Sequence, residues 1–252
     1  MNAPTHPIVL IPSRLASTRL PDKPLADILG EPMIVHCWRR AVEADVGPVV
    51  VACADTAIKN AIEQVGGRAV MTAPDHPSGS DRIYEALQLV DPEGCHDCII
   101  NVQGDLPTID PKIIRSCLAP LAINGVDIST LVTEITNQDD LTNPNIPKVA
   151  LGLKPGENVG RALYFTRATI PTGPGPHYYH IGLYAYKRDA LTRFVALPPG
   201  ILEQREKLEQ LRALEAGMRI EAACVDTIPF GVDTPADLAL ARKIIAAERL
   251  NQ

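Results

Sequence analysis

The sequence predicts an α/β fold with a mixed, mainly parallel sheet, helices on its faces and a small β-rich lobe. Three short apolar runs, at residues 8–11, 49–53 and 69–71, alternate with stretches of helical periodicity. Strands buried on both faces are typically short apolar runs, and strands that alternate with helices form parallel sheets. The chain has 252 residues, which is enough for one large core, so we expect a single domain over residues 1–252.

The first half of the chain supplies most of the predicted sheet. Pro12 ends the first strand, and the next regular element begins near Glu31 and Pro32, because proline suits the first turn of a helix. Gly66 and Gly67 follow the second helix and are typical of a C-terminal cap. Strands are predicted over residues 8–11, 49–53, 69–71 and 98–102, and helices over residues 33–44, 56–65, 81–90 and 110–122.

The second half of the chain adds further β structure. Residues 136–147 are predicted to form a polar loop, and residues 145–187 to form the β-rich insertion. Glu203 and Glu206 are expected on the solvated face of a long helix, where they pair with basic residues one turn away. Strands are predicted over residues 126–134, 148–153, 162–166, 180–186 and 220–225, and helices over residues 188–197, 201–216 and 236–250.

Composition and charge argue against several classes of protein. The formal net charge is −6, which disfavours nucleic acid or an anionic membrane as the main partner. A local cluster of cations can still bind a small anion, because distant charges are screened. The first residues lack a basic stretch followed by a long apolar one, and no apolar run is long enough to span a bilayer. We therefore expect a cytoplasmic protein.

The cysteines predict neither disulfides nor a metal centre. Six cysteines are scattered through predicted helices and strands, as reduced and mostly buried thiols would be. Cys95 and Cys98 form a C-x-x-C pair, but this pair leads into a strand instead of opening a helix. No second pair lies nearby to complete a zinc site, so we disfavour a metal or redox role.

Three cations follow the first strand. Arg14, Arg19 and Lys23 lie in a proline-rich loop, at the end of a strand where open α/β sheets place their ligands. Arginine grips phosphate oxygens through two donors and lysine acts as a point charge, so the loop suits a polyphosphate. Neither glycine-rich dinucleotide-binding motif nor P-loop is present, which disfavours an oxidoreductase of that kind. The alternative is an ordinary solvated basic loop.

Two aspartates occupy similar turns far apart in the chain. Asp105 follows Gly104 after a buried strand, and Asp233 follows Gly231 and Val232 just before a helix. Mg²⁺ typically takes one or two carboxylates and completes its shell with waters and phosphate oxygens. A lone aspartate at such a turn is more often a helix cap, and spacing alone leaves open whether the two converge.

Seven segments follow one another along nearly the whole chain: PSRLASTRLPDKPL, SGSDR, NVQGD, YFTRATIP, HIGLYAY, LEQLR and GVDTP. Each is a weak signal alone, but together and in this order they closely resemble the motifs of the sugar-acid cytidylyltransferases. The resemblance implies a nucleotide-diphospho-sugar-transferase-like, Rossmann-like fold. It also implies that residues 145–187 build a small lobe with part of the sugar site and the contact of a homodimer.

The resemblance assigns roles to individual residues. It implies a Mg²⁺ ion held by Asp105 and Asp233, and a catalytic set formed by Arg14, Lys23 and these two aspartates. The residues implied in CTP binding are Arg14, Arg19, Lys23, Ser80, Arg82 and Gln103. The residues implied in sugar-acid binding are Gln103, Arg167, His180, Tyr184, Glu209 and Gln210.

Plainer structural roles compete for some of these positions. Ser80 and Asp81 suit capping of the helix that follows them, and Tyr184 suits the core. Without the resemblance, Glu209 is an ordinary surface residue. Leu106 departs from the family pattern, because many relatives carry glutamate there, so the role of an acidic neighbour beside Asp105 stays open.

The implied activity is transfer of a cytidylyl group from CTP to the anomeric hydroxyl of a sugar acid, with release of pyrophosphate. The expected acceptor is 3-deoxy-D-manno-octulosonate (Kdo), whose activated form serves lipopolysaccharide biosynthesis. One alternative is a transferase for another sugar acid, such as the 8-amino analogue of Kdo or a sialic acid. Another is a nucleotide-binding regulator without catalysis, which the presence of both aspartates, Arg14, Lys23 and Arg167 disfavours.

Overall fold

The computed structural model describes residues 4–16 and 19–250. Ser17 and Thr18 of the basic loop, and residues 1–3 of the segment searched for a leader, lie outside the described residues. Backbone contacts divide the chain into two units. The N-terminal unit consists of His6–Ile114 and the C-terminal segment that begins at Pro229, and the central unit contains Arg115–Ile228.

The regular elements alternate between strand and helix over much of the described chain. The strands are β1 (Pro7–Ser13), β2 (Asp27–Ile28), β3 (Glu31–Pro32), β4 (Val49–Cys53), β5 (Arg68–Met71), β6 (Cys98–Asn101), β7 (Ile128–Glu134), β8 (Lys148–Gly152), β9 (Val159–Thr166), β10 (Tyr178–Lys187) and β11 (Ile220–Cys224). The helices are α1 (Met33–Glu43), α2 (Thr56–Gln64), α3 (Gly79–Val90), α4 (Pro111–Ser116), α5 (Gln138–Thr142), α6 (Arg188–Ala196), α7 (Ile201–Glu206), α8 (Leu211–Glu215) and α9 (Pro235–Leu250).

In the N-terminal unit, four strands form a parallel sheet in the order β5-β4-β1-β6. The central strand β1 pairs with β4 from Val9 onward and with β6 up to Leu10. Its apolar run, Ile8 to Ile11, is at most 1% exposed, as expected for a strand covered on both faces. Because parallel strands end at the same edge, the loops after β1 and β6 emerge side by side.

In the central unit, five strands follow one another in the order β10-β7-β11-β9-β8. β7 and β11 are parallel, and the remaining neighbours are antiparallel. β8 also pairs with β10, so the five strands close into a ring. The expected insertion, 145–187, contributes β8, β9 and β10 to this ring, and β7 and β11 come from the flanking chain. The predicted α/β class with mixed strands is confirmed.

Two predicted boundaries at prolines are wrong. Pro12 lies inside β1, where it pairs with Ala52 of β4; the register with β6 has already ended at Leu10, so the missing N–H interrupts no ladder on that side. Pro32 precedes helix α1 as its N-cap, after the two-residue strand β3, and does not lie in the first helical turn.

Helix α3 begins two residues earlier than predicted. Its first residue is Gly79, and its N-cap is Ser78, whose hydroxyl accepts a hydrogen bond of 3.2 Å from the backbone N–H of Asp81. The expected capping by Ser80 or Asp81 is therefore wrong. Ser80 is the second residue of the helix and is only 2% exposed.

Three longer elements also differ from the prediction. The helix expected over residues 110–122 is α4 followed by a separate 3-10 helix, Ala119–Ala122, and the polar loop 136–147 contains the short helix α5. The helix expected over residues 201–216 is broken into α7 and α8. The break occurs at Lys207, which has a left-handed φ of 58° without being glycine, so the sequence gives no sign of it.

Glu203 and Glu206 are not on a solvated face. Glu203 accepts a hydrogen bond of 2.8 Å from Arg212 Nε, and Glu206 accepts one of 2.8 Å from Thr166 Oγ1. Both carboxylates thus join separate elements of the central unit: Glu203 links α7 to α8, and Glu206 links α7 to β9.

Within residues 4–16 and 19–250, no helix is both long enough and apolar enough to cross a membrane. The six cysteines are free thiols, of which Cys95 is exposed and Cys98 is buried. Burial raises the pKa of Cys98, so its thiolate is disfavoured. Across the same described ranges, no three or more His, Cys, Asp or Glu side chains cluster as they would around a metal ion.

Candidate functional site

Two cavities open at the carboxyl end of β1, and they share Pro12, Ser13, Arg14 and Gln103 as lining residues. The first cavity has a volume of about 300 Å³ and is completed by His76, Pro77, Ser78, Gly79 and Arg82. The second cavity has a volume of about 490 Å³ and is completed by Ala16, Arg19, Lys23, Pro24, Gly104, Asp105 and Asp233. The cations and carboxylates singled out in the sequence therefore line one continuous part of the N-terminal unit.

Lys23 lies between the two predicted metal ligands. Its Nζ is 2.9 Å from Asp105 Oδ2 and 3.0 Å from Asp233 Oδ1, although the two aspartates are far apart in sequence. Arg19 adds a second ion pair, with 3.1 Å from Nη2 to Asp233 Oδ2. Burial opposes the charge of Lys23, but its contacts with Asp105 and Asp233 outweigh burial and raise the lysine's pKa. Asp105 and Asp233 thus do come together, and the group that they share in this structure is the ammonium of Lys23.

Local backbone contacts fix both aspartates. The N–H of Val232 donates to the carbonyl of Asp105 at 2.9 Å, which ties the two turns together. A Cβ on Gly104 would lie 2.9 Å from the carbonyl oxygen of Pro12, so only glycine allows β1 and this turn to approach so closely. Leu106 is buried, and a Cβ built on Gly231 would lie 3.8 Å from its Cδ2. The position next to Asp105 therefore makes an apolar contact instead of supplying a second carboxylate.

The donor set at this position suits a divalent cation. Asp105 Oδ2 and Asp233 Oδ1 both reach a single nitrogen within 3.0 Å, so a cation at the same point would meet one oxygen from each. Two carboxylates, with waters and phosphate oxygens in the remaining positions, are the ligands that Mg²⁺ typically takes. In this structure the chain's own ammonium group provides the positive charge there.

Arg82 organises the rim of the first cavity. It is 3% exposed, and its guanidinium donates to Thr72 Oγ1 at 2.7 Å and to the carbonyls of Ala73 and Pro74 at 2.9 and 3.1 Å. Burial lowers the pKa of Arg82, and the nearby charge of Arg14 adds to this effect. Arg82 therefore holds the segment that leads to Ser78 and Gly79, in addition to lining the cavity.

Replacing Arg82 by methionine should lower the free energy of unfolding by about 1.5–3 kcal/mol, the size typical of losing hydrogen bonds to a charged group. Urea unfolding would measure this change. The matched control is Arg14→Met, because Arg14 is exposed and lines the same cavity. Equal stability of both variants would contradict the structural role of Arg82.

Ser80 does not line either cavity, because it is turned into the buried side of α3; Ser78 and Gly79 occupy the rim instead. Ser13 is a residue that the sequence reasoning missed. Its Oγ is buried, lies among the residues that line both cavities, and has no hydrogen-bond partner among the described residues. The only sequence signal was its position next to Pro12, near the predicted end of the first strand.

In the central unit, the predicted sugar-acid residues form two separate sets of polar contacts: the half-buried Arg167 contacts Glu206 and Pro144, and the buried His180 contacts Gln210. Arg167 Nε donates to the carbonyl of Glu206 at 2.9 Å, and its Nη1 donates to the carbonyl of Pro144 at 3.0 Å. The Glu206 carboxylate accepts from the backbone N–H of Arg167 at 3.0 Å. The guanidinium is thus held by neutral carbonyls, which leave its charge uncompensated at these contacts.

Lys148 contacts the backbone of Arg167, and the sequence analysis did not single it out. It is fully buried, and its Nζ donates to the carbonyls of Asn143 and Arg167 at 2.6 and 3.2 Å. Burial lowers the pKa of Lys148, and Arg167 adds to this effect, whereas Asp140 opposes it. A lysine at the start of an alternating strand gives no sequence signal that it will be enclosed.

His180 is buried between aromatic and amide groups. Its ring centroid is 4.8 Å from that of Phe165 and 5.5 Å from that of Tyr184, and its Nδ1 is 3.4 Å from Gln210 Nε2. Burial lowers the pKa of His180 to about 3 and raises that of Tyr184, so both side chains are neutral near pH 7. Glu209 lies beside Gln210, half-buried.

The low pKa of His180 predicts a pH-dependent stability. Below about pH 6.5 the unfolded chain protonates this histidine, but the folded chain does so only near pH 3, so acidification favours unfolding. Between pH 7 and 5 this single group should remove about 2 kcal/mol of stability. His180→Gln should lack this part of the loss in urea titrations, and His177→Gln, which removes a half-exposed imidazole, is the control. The same pH dependence in His180→Gln and the wild type would contradict this assignment.

A parallel α/β sheet with cations and paired carboxylates beyond its carboxyl edge defines a nucleotide- or phosphate-binding protein of the α/β class. The cytidylyltransferase family model matches residues 8–220. The chain is 66% identical to a 3-deoxy-manno-octulosonate cytidylyltransferase of Paramagnetospirillum magneticum, over 96% of this chain and 98% of the relative. It is 63% identical to the protein of that name from Rhodospirillum centenum, over 96% of this chain and 95% of the relative.

The chain therefore belongs to the cytidylyltransferase family. A solved structure of CMP:2-keto-3-deoxy-manno-octonic acid synthetase, complexed with CTP, is 38% identical and superposes with a TM-score of 0.88 over 97% of this chain and 100% of the other. A UDP-glucose pyrophosphorylase is only 13% identical with a TM-score of 0.63, over 97% of this chain and 100% of the other, which indicates a shared fold alone. The expected nucleotidyltransferase fold is thereby confirmed.

Proposed function

We propose that this protein transfers CMP from CTP to the anomeric hydroxyl of Kdo, with Mg²⁺ as cofactor, and releases pyrophosphate. The observation that carries the proposal is the cluster of Lys23, Asp105 and Asp233 in a cavity lined by Arg14 and Arg19. Full-length relatives named 3-deoxy-manno-octulosonate cytidylyltransferase support Kdo as the acceptor.

The two cavities suit the two parts of CTP. Arg14, Arg19 and Lys23 supply positive charge in the second cavity, where a triphosphate would be neutralised as negative charge develops on the leaving pyrophosphate. The first cavity offers the buried hydroxyl of Ser13 and the amide of Gln103 to a nucleoside. Catalysis of phosphoryl transfer rests mainly on such positioning and charge stabilisation.

The residues proposed for the sugar acid belong to the central unit. Arg167 carries a charge that no carboxylate neutralises at its guanidinium contacts, and a sugar carboxylate matches it. Gln210, Glu209 and Tyr184 provide polar groups for hydroxyls. His180 contributes as a neutral ring, because its pKa is far below neutral pH.

Mg²⁺ bound at Asp105 and Asp233 would supply Lewis-acid polarisation and charge neutralisation. The same two carboxylates contact Lys23, and transfer of its ammonium group to phosphate oxygens would free one oxygen of each aspartate. A cytoplasmic location and a homodimer that uses residues 145–187 are part of the same proposal.

The proposal is tested by pyrophosphate release from purified protein with CTP and Mg²⁺, with and without Kdo, and with EDTA as control. Release that requires both Kdo and the metal is the expected result. Release with the 8-amino analogue or a sialic acid, but not with Kdo, would contradict the acceptor assignment. CTP binding without pyrophosphate release for any of these acceptors would instead indicate a nucleotide-binding regulator.

A further inference from the structure

Thr130 forms the buried end of a hydrogen-bonded chain in the central unit. It is fully buried on β7, and its Oγ1 lies 3.0 Å from His180 Nε2. The same hydroxyl lies 3.0 Å from the carbonyl oxygen of Leu183 and 3.2 Å from that of Ile181. At the other side of the imidazole, Gln210 Nε2 lies 3.4 Å from His180 Nδ1.

These contacts determine where the proton of His180 is carried. The carbonyls of Ile181 and Leu183 can only accept, so the Thr130 hydroxyl donates to one of them and its oxygen accepts from the imidazole. The ring proton is therefore on Nε2, which donates to Thr130 Oγ1, and Nδ1 is left to accept from the N–H of Gln210. If the proton were on Nδ1 instead, Nδ1–H would face the N–H of Gln210, and two donors would meet. The Thr130 hydroxyl would then donate to Nε2 and could donate to neither carbonyl.

Thr130 also contacts a register shift in β10. The register between β10 and β7 shifts between Ile181 and Tyr184, so that β10 carries two extra residues relative to β7. The carbonyls of Ile181 and Leu183, which lie at this shift, both face the Thr130 hydroxyl. His180 lies one residue before the shift, and Tyr184 lies at its far end. The Thr130 hydroxyl thus contacts the backbone between two predicted sugar-binding side chains.

We propose that Thr130 is a positioning residue for the sugar-acid site: its hydroxyl fixes the tautomer of His180 and thereby determines which end of the Gln210 amide faces the ring. The other end of the amide is then the one presented to a sugar hydroxyl. The role of this site in sugar-acid binding rests on the proposed function, whereas the tautomer and the amide orientation do not.

The kinetic test compares Thr130→Val, which keeps the shape and removes the hydroxyl, with Thr130→Ser, which keeps the hydroxyl. Thr130→Val should raise the KM for Kdo about three- to tenfold, as expected for one hydrogen bond, and leave the KM for CTP unchanged. Thr130→Ser should restore the KM for Kdo. Thr133→Val is the matched control, because Thr133 is a buried threonine on the same strand.

The imidazole nitrogen signals of ¹⁵N-histidine-labelled protein test the mechanism directly, with His180→Gln to assign the signal. The wild type should show His180 protonated on Nε2, and Thr130→Val should shift the proton toward Nδ1. A wild-type ring protonated on Nδ1 would overturn the proposal, even if Thr130→Val does not fold. An unchanged tautomer, or a changed tautomer with an unchanged KM for Kdo, would also overturn it. Absence of turnover with Kdo in the wild type would overturn the proposed function and leave the tautomer result standing.

Discussion

Replacing Asp233 by asparagine should lower kcat by about 10²-fold or more, the size typical of losing one preorganised electrostatic contact, without raising the KM for CTP. The side chain contacts Lys23 and Arg19 directly, so its loss frees both cations from their common partner. Removal of a negative charge beside a triphosphate does not weaken its binding, because the local potential becomes more positive. Turnover and nucleotide affinity should therefore separate.

Steady-state kinetics with CTP and Kdo would measure this separation. Asp22→Asn is the matched control, since it removes an exposed carboxylate next to Lys23 and asparagine tolerates the left-handed φ of 52° at that position. Wild-type turnover in Asp233→Asn would refute both the metal assignment and the catalytic role of the cluster of Lys23, Asp105 and Asp233. An equal fall in kcat for Asp22→Asn would show that the effect is one of general charge and not of this site.

Replacing Arg167 by methionine should lower kcat/KM for Kdo by about 10- to 100-fold, because a charge-assisted hydrogen bond to the sugar carboxylate is lost. The KM for CTP should stay unchanged. Arg167→Lys should recover only part of the activity, because lysine cannot donate to the carbonyls of Glu206 and Pro144 and still present two parallel donors.

The same measurement on Arg161→Met controls for the loss of a cation from strand β9, where Arg161 is exposed. An unaffected kcat/KM in Arg167→Met would remove Arg167 from the sugar-acid site. A parallel rise in the KM for CTP would indicate a disturbed fold, which urea unfolding of the same variant would detect.

Much of the strand pattern in the N-terminal unit was predictable from the sequence. Residues 49–53 form β4 with the expected boundaries, because a continuous apolar run between turn residues has little alternative to a buried strand. The parallel order and the emergence of Arg14, Lys23 and Asp105 at the carboxyl edge follow from the alternation of strands and helices. Boundaries were less certain where several residues compete, as Ser78, Ser80 and Asp81 do for the N-cap of α3.

The rest depends on contacts between residues distant in the chain. The convergence of Asp105 and Asp233 has no trace in local sequence and was expected only from the family resemblance, which implied a shared Mg²⁺; their common contact with Lys23 was not expected. The break at Lys207 and the enclosure of Glu206 arise from tertiary hydrogen bonds, which override the helical periodicity of the segment. The low pKa of His180 likewise reflects burial, which periodicity cannot quantify.

Because Lys148 is fully enclosed, chemical modification of its amine can measure how often the central unit opens locally. Its lowered pKa favours the neutral, nucleophilic amine, but zero exposure keeps an acylating reagent away from it. Lys154, whose side chain is 81% exposed, is accessible to the reagent and serves as the reference amine. The acylation rate of Lys148 relative to Lys154 should thus report how often the strand ring of the central unit opens, and a bound sugar acid should slow it.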